Sequence, residues 1–275
     1  MKWRLLNTGE MSGFDNMAID EAIMLSHFGG KKTLPTLRFY GWSPPAVTLG
    51  YFQKPCKILD LEACRRLGVD VVRRPTGGRA VLHDREVTYS IIALEENPSV
   101  RGTISESYLR LSQGLVLGMR LMGLEVSRIG AGRPAEKGPA CFEGPGLYEI
   151  AVNGRKLAGS AQCRRGGCVL QHGALPIVND SLTLFSLLQF SSESLREEKR
   201  LIYCQKATSL EEALGRPVDP KEIISALAEG FSRTLGIVLE PGELTSEEKE
   251  LAQRIKCEKF VNKMKINISN HYTKV

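Results

Sequence analysis

Apolar and polar positions alternate in short runs over the first ninety residues, then give way to longer helical periodicity. Arg4 to Thr8 reads as a strand, and after a Gly- and Ser-containing turn a helix is expected from Asp15 to about Phe28, with Met17, Ile19, Ile23 and Leu25 as apolar contacts. Gly29-Gly30 ends it. Strand-like runs follow at Leu37–Tyr40, Ala46–Leu49, Val69–Arg73, Ala80–His83 and Val87–Ala93, interrupted by a helix at Asp60–Leu67. From Ser105 to Met122, residues Tyr108, Leu111, Leu115, Val116, Met119 and Met122 recur at helical spacing, which predicts a long core helix. Tyr148–Val152 and Arg155–Cys163 flank Asn153-Gly154, a strong signal for a two-residue hairpin turn. Arg165-Gly166-Gly167 then turns into Cys168–His172, and helices are expected at Ser181–Phe190, Ser209–Leu214, Pro220–Leu235 and Ser246–Phe260. Hairpins gathered into a sheet, with helices clustered before and after it, predict an α+β fold rather than strict strand-helix alternation.

Length and composition narrow this picture. The 275 residues accommodate one large core with an appendage, and 42% hydrophobic with 25% charged residues is ordinary globular usage. No run of about 18 apolar residues occurs and Met1 to Leu6 passes straight into polar Asn7-Thr8, so neither export nor membrane insertion is indicated. Seven cysteines without regular spacing read as reduced thiols, and the expected compartment is the cytoplasm. The net charge of +6 favours acidic partners. Basic pairs such as Lys31-Lys32 and Arg164-Arg165 have no interleaved aromatics, so specific nucleic-acid binding is not expected.

Two segments carry candidate chemistry. Arg73-Arg74-Pro75-Thr76-Gly77-Gly78-Arg79-Ala80-Val81-Leu82-His83-Asp84 sets a Gly-Gly turn between strands, where backbone amides can approach a ligand; a plain hairpin turn with exposed arginines is the other reading. In Gly138-Pro139-Ala140-Cys141-Phe142-Glu143-Gly144, Cys141 is framed by Gly and Pro and has no regular core face to occupy, which leaves both a buried thiol and a nucleophile open. Asn153 to Gln162 follows as Asn-Gly-Arg-Lys-Leu-Ala-Gly-Ser-Ala-Gln. Cys163, Cys168 and His172 do not have a usual zinc spacing, and no metal site is expected.

Together these segments, with Glu86-Val87-Thr88-Tyr89-Ser90, resemble the lipoate ligase and octanoyltransferase family over roughly Trp3 to Leu239. The pairing is similar to its cysteine-dependent octanoyltransferase branch from Firmicutes. The resemblance implies a class II synthetase and biotin ligase-like core of mixed β-sheet with flanking helices, over residues 1–240, followed by a helical C-terminal tail at 241–275. It also implies Cys141 as acyl-thioester nucleophile, with Lys156 lowering its pKa and contacting the oxyanion. Arg74, Gly77, Gly78, His83, Gly159, Ser160, Ala161, His172 and Gly173 are the implied substrate-binding residues. ATP-dependent lipoate ligases carry a third glycine where Arg79 stands and Gly-Asn where Glu86-Val87 stands, so the nucleotide site looks lost and no cofactor is expected. A branch moving octanoyl groups between lipoyl domains shows Gly-Gly-Leu-Ala-Val and lacks the His-Asp supplied here by His83-Asp84.

The implied reaction takes octanoyl from octanoyl-acyl carrier protein and passes it to a lysine of a lipoyl domain, with the glycine cleavage H protein as expected acceptor. Amidotransfer between lipoyl domains and ATP-dependent ligation are the alternatives. A carrier thioester exchanges with a cysteine at nearly equal free energy, and amide formation then runs downhill without ATP. Only a thiolate attacks, and a free thiol titrates near about 8.5, so a neighbouring ammonium is needed to favour the anion. An apolar slot contributes about 5 kcal/mol towards an octanoyl tail at roughly 0.8 kcal/mol per methylene. One methylene more or less is worth only about 1–3 kcal/mol.

Overall fold

The computed structural model describes residues 1–28, 33–129 and 149–261, with Ile129, Phe260 and Val261 described by backbone alone. Cys141, Tyr148 and residues 262–275 of the expected tail lie outside them. In chain order the elements are β1 (Lys2–Met11), α1 (Gly13–Ser26), β2 (Thr36–Trp42), β3 (Ala46–Leu49), α2 (Leu61–Arg66), β4 (Asp70–Arg73), β5 (Val81–His83), β6 (Glu86–Leu94) and α3 (Ile104–Leu121). They continue with β7 (Ser127–Ile129), β8 (Glu149–Val152), β9 (Arg155–Arg165), β10 (Cys168–Pro176), α4 (Ser181–Leu187), α5 (Glu193–Lys206), α6 (Leu210–Leu214), α7 (Pro220–Leu235), β11 (Val238–Pro241) and α8 (Ser246–Ile255). The fold is α+β, with two sheets rather than one.

The large sheet has the order β11-β1-β2-β6-β10-β9-β8-β7, and the small one β4-β3-β5. β1 runs parallel to both β2 and β11, while β6, β10, β9 and β8 pair antiparallel. Period-two alternation sorts the faces of the large sheet. Leu37 and Phe39 of β2, and Val87, Tyr89 and Ile91 of β6, meet Leu111, Leu115 and Met119 of α3 and Leu227 and Phe231 of α7. Tyr40, Trp42 and Ile92 turn the other way, onto Met17, Ala18 and Ile23 of α1. α3 lies close on α7 because Gly230 has no side chain: a Cβ there would stand 2.3 Å from the Gly114 carbonyl oxygen. The small sheet closes its own apolar cluster with Ala63 of α2, Phe185 of α4 and Tyr203 of α5.

Local signals account for most elements. Thr103 caps α3 with Glu106 in a reciprocal capping box, and Thr245 with Glu248 does the same for α8. Asn153 and Gly154 take φ of 50° and 76°, as a type I′ hairpin turn demands, and Gly166-Gly167 take 58° and 75° between β9 and β10. Three elements were not foreseen: β7, α5 and β11. β11 is four residues long and half exposed, too short for a periodic signal. α5 buries only Tyr203 completely and holds together by surface pairs, Arg196 on Glu193 and Arg200 on Glu197. The expected helix to Phe190 stops at Leu187, where Gln189 donates its backbone N–H to Ile58 instead. α8 is docked, with Ala252 and Ile255 in the α1 cluster and Glu248 buried in a bidentate pair with Arg4. No helix among the described residues is long and apolar enough to cross a membrane.

Candidate functional site

Between the α1 face of the large sheet and the small sheet lies an apolar cavity. Met17, Tyr40, Trp42 and Thr88 floor it. One wall is β9 and β10, through Gly159, Ser160, Ala161, His172, Gly173 and Ala174; the other is Thr48, Arg74, Gly78, Val81 and His83 of the small sheet and its loop. Eight of the nine substrate-binding residues expected from sequence therefore meet here. Gly77 does not line the cavity; its carbonyl accepts from both Nε and Nη2 of Arg74, at 3.1 and 2.8 Å. A wider groove between α3 and β7, around Gln113, Arg120 and Ser127, is more open and gathers none of these residues. The convergence of the expected residues favours the smaller cavity.

The β9–β10 wall is made of backbone. Gly173 pairs with Ser160 and with Tyr89 on either side. A Cβ at Gly173 would stand 2.5 Å from Ser160 Oγ, 2.7 Å from Tyr89 Cε1 and 2.8 Å from the Gly159 carbonyl oxygen, so only glycine leaves the wall flat. Gln171 Nε2 donates to Tyr89 Oη at 3.0 Å, and Tyr89 Oη and Ser160 Oγ share a hydrogen bond at 2.8 Å. Burial pushes Tyr89 up to about 12, so it remains protonated in neutral solution.

The opposite wall is made of side chains. Arg74 is buried, and its guanidinium donates to the carbonyls of Thr48, Gly77 and Arg79 and to Thr48 Oγ1. It thereby clamps the Gly77-Gly78 turn onto β3. Gly78, at φ 97°, has Arg74 Nη2 2.7 Å from where its Cβ would be. His83 stacks on Trp42 at 4.1 Å between centroids and is bonded at both nitrogens, Nε2 to Thr48 Oγ1 at 2.8 Å and Nδ1 to Glu86 Oε1 at 2.7 Å. With both nitrogens engaged, the ring is held fixed in the wall.

His172 joins the walls: its Nε2 is 2.7 Å from Thr76 Oγ1, while Nδ1 lies 3.5 Å from Asp20 Oδ2. Burial holds this imidazole below its ordinary value, with Asp20 opposing the shift in part. Asp20 is itself fully buried, bonded by Arg38, Tyr40 and Ser90. Desolvation opposes its ionisation, but Arg38 and His172 outweigh that and hold the carboxyl below its usual range.

Lys156 is buried, and its Nζ donates to the buried Glu149 carboxylate across the β8–β9 hairpin. A register shift places Ile150 opposite Ala158 but Ala151 opposite Lys156, so Leu157 is an extra residue, a bulge that re-aims the strand. The Gly159 Cβ position is 3.2 Å from Lys156 Nζ, which puts the ammonium directly behind the cavity wall. The pairing with Glu149 was not legible in sequence, because the two residues meet only through the hairpin. Burial pushes the thiols of Cys64 and Cys163 up to about 11 and that of Cys168 up to about 12, which makes them poor nucleophiles in neutral solution. Among the described residues no three His, Cys, Asp or Glu side chains are placed to hold a metal.

The floor residues Met17, Tyr40, Trp42 and Thr88 were not expected. The available signal was alternation: Tyr40 and Trp42 share one strand face, and Glu86, Thr88 and Ser90 are polar at every second position over the first half of β6.

Residues 12–232 match the lipoyl protein ligase A/B catalytic domain. Octanoyltransferase LipM of Kyrpidia tusciae is 47% identical, covering 92% of this chain and 94% of that protein, and octanoyltransferase LipM of Moorella thermoacetica is 48% identical over 90% and 91%. Among solved structures, a chain from the bi-partite lipoate protein ligase and its E2 lipoyl domain of Thermoplasma acidophilum superposes with a TM-score of 0.79 at 27% identity, covering 95% and 94%. A lipoate-protein ligase A bound with ATP gives 0.76 at 27% identity, covering 95% and 96%.

Proposed function

We propose that this chain, which belongs to the lipoyl protein ligase A/B catalytic domain family and is an octanoyltransferase, takes octanoyl from acyl carrier protein onto Cys141 and passes it to a lysine of a lipoyl domain. The glycine cleavage H protein is the proposed acceptor. The observation that carries this reading is the apolar cavity with the buried ammonium of Lys156 directly behind its Gly159 wall. An acyl chain fills the cavity, and its thioester carbonyl is held at the end nearest that charge.

In the first step the Cys141 thiolate adds to the donor's carbonyl carbon, and the bond from that carbon to the carrier's sulfur breaks. The carrier leaves as a thiolate and takes up a proton. In the second step a neutral lysine amine adds to the same carbon, the bond to Cys141 breaks, and the amine loses a proton. Lys156 favours the thiolate in both steps and faces the oxyanion that precedes each cleavage. Glu149 keeps that ammonium in place. Arg74, Gly78, His83, Ser160, Ala161, His172 and Gly173 shape the acyl slot, while Gly77 contributes through its hold on Arg74. The domain division at residue 240, with a helical tail beyond it, belongs to the same proposal.

Glu86 favours thioester exchange over ligation of a free acid. Its carboxylate is buried against His83 and Thr88, where it would repel the phosphates of an adenylating nucleotide. The ligase reading is nevertheless supported by the fold shared with a lipoate-protein ligase A that binds ATP.

Mass spectrometry after incubation with octanoyl carrier protein tests the proposal. A hydroxylamine-labile octanoyl adduct is expected on the native chain and is expected to be lost in Cys141→Ala. An adduct persisting in Cys141→Ala, or lipoyl-domain octanoylation that requires ATP and free octanoate, overturns it.

A further inference from the structure

The loop that follows β3, the strand supplying Thr48 to the cavity wall, carries two exposed aromatic rings that the chemistry above does not use. Tyr51 is 57% and Phe52 87% exposed, and their rings meet edge to face at 5.1 Å. Burying rings of this size contributes strongly to association, and soluble chains seldom present them together without a use.

The pair does not sit on a loose loop. β3 supplies Thr48 to the cavity wall, and Tyr51 follows three residues later. Tyr51 donates its backbone N–H to the Thr76 carbonyl at 2.9 Å, and Arg73 Nη1 donates to the carbonyls of Gly50 and Tyr51 at 2.9 and 2.7 Å. Gln53 closes the loop in both directions, its side chain accepting from the Gly50 N–H and its N–H donating to the Gly50 carbonyl, each at 3.0 Å. Gly50 lies so near the Gly77-Gly78 turn that a Cβ would stand 1.9 Å from the Gly78 carbonyl oxygen. The aromatic loop and the cavity wall thus form one continuous surface.

Its charge has one sign. Tyr51 to Lys57 contains Lys54 and Lys57 and no acidic residue, and both lysines are exposed. The adjoining Val71 to Leu82 carries the half-buried Arg73 and Arg79, again without an acid, while Arg74 between them is buried in its clamp. This separates the two macromolecular substrates of the proposed reaction. The donor extends its acyl group on an arm that contains a phosphodiester, which a basic rim attracts. The acceptor extends a lysine, which offers the rim no anionic arm to engage.

We infer that the Tyr51–Lys57 loop is the docking surface for the octanoyl-loaded carrier protein: Phe52 and Tyr51 anchor its apolar surface, and Lys54 and Lys57 engage its acidic groups and arm phosphate. The inference rests on the octanoyltransferase reading above.

The test compares acylation of the full-length chain by octanoyl carrier protein and by octanoyl-N-acetylcysteamine, a small thioester without protein or phosphate. In Tyr51→Ser/Phe52→Ser the carrier concentration for half-maximal acylation is expected to rise by about tenfold or more, as loss of aromatic anchors does, with acylation by the small thioester unchanged. Lys54→Glu/Lys57→Glu, which alters only exposed side chains, is expected to give a similar rise and a weaker salt dependence. Unchanged carrier use in both variants overturns the inference. So does equal loss with both thioesters, which would place the rings in the acyl slot, and so does a defect confined to the lipoyl-domain step. A native chain acylated by neither thioester instead refutes the reading of the site on which the inference rests.

Discussion

The two walls of the cavity are built on different principles. β9 and β10 present Gly159 to Gly173 as part of an antiparallel ladder in which every residue from Cys168 to Ala174 has a partner on both sides. The facing wall belongs to a three-stranded sheet whose β5 is three residues long, and it is held by Arg74, His83 and Thr76 through side-chain bonds. The first wall is set by register, which a single substitution rarely moves. The second depends on a handful of polar contacts and is where the cavity can be loosened or retuned.

Removing the clamp gives the largest expected effect. Arg74→Met leaves the Gly77 and Arg79 carbonyls without their buried donor and is expected to destabilise by about 3 kcal/mol. Hydrogen exchange should quicken in residues 76–83 while β9 and β10 keep their protection. Equal acceleration in both would show that the walls are one cooperative unit. Gly173→Ala attacks the other wall, where the nearest obstacles include the Gly159 backbone. Denaturant unfolding should show a loss of about 1–3 kcal/mol from overpacking, with a higher KM for the octanoyl donor.

Neighbouring glycines in the clamped turn should behave differently. Gly78→Ala places a side chain at φ 97° against Arg74 and is expected to cost about 1 kcal/mol or more. Gly77→Ala has nothing within 4 Å of its Cβ and is expected to stay within about 0.5 kcal/mol of the native chain. Thermal midpoints of the two variants measure the contrast directly, and similar midpoints would place the strain elsewhere.

Acidification should give the smallest effect, at the seam between the walls. His172 is depressed below 6.5 by burial, so as the pH falls below 6.5 the unfolded chain takes up the proton first and stability is lost. His27 is shifted the same way by burial, so the native chain alone does not identify the source. His172→Gln should flatten part of the slope of stability between about pH 6.5 and 5. An unaltered slope would assign the whole effect to other groups.

The motifs around Gly77-Gly78 and Lys156 were legible in the chain, and eight of the nine expected substrate contacts meet in one cavity. What escaped were residues whose role depends on a partner far along the chain. Glu149 is ordinary until β8 and β9 bring it to Lys156, and Trp42 is a core aromatic until His83 stacks on it. α5 escaped for a different reason: nine of its 14 residues are polar or charged, and most of its apolar residues gather at Leu201–Cys204 instead of recurring along the helix.

By itself the amino-acid order determined the turns, the capped helices and the chemistry-bearing segments, because these depend on φ preferences, spacing and residues only a few positions apart. Asn153-Gly154 can close its hairpin whatever else the chain does. The tertiary structure alone decided that β11 would lie parallel to β1, that Arg38 and Asp20 would pair out of reach of solvent, and which strand faces would enclose the cavity. Those outcomes depend on burial and long-range pairing, and desolvation gives a buried charge or an apolar face its meaning only once the distant partner has arrived.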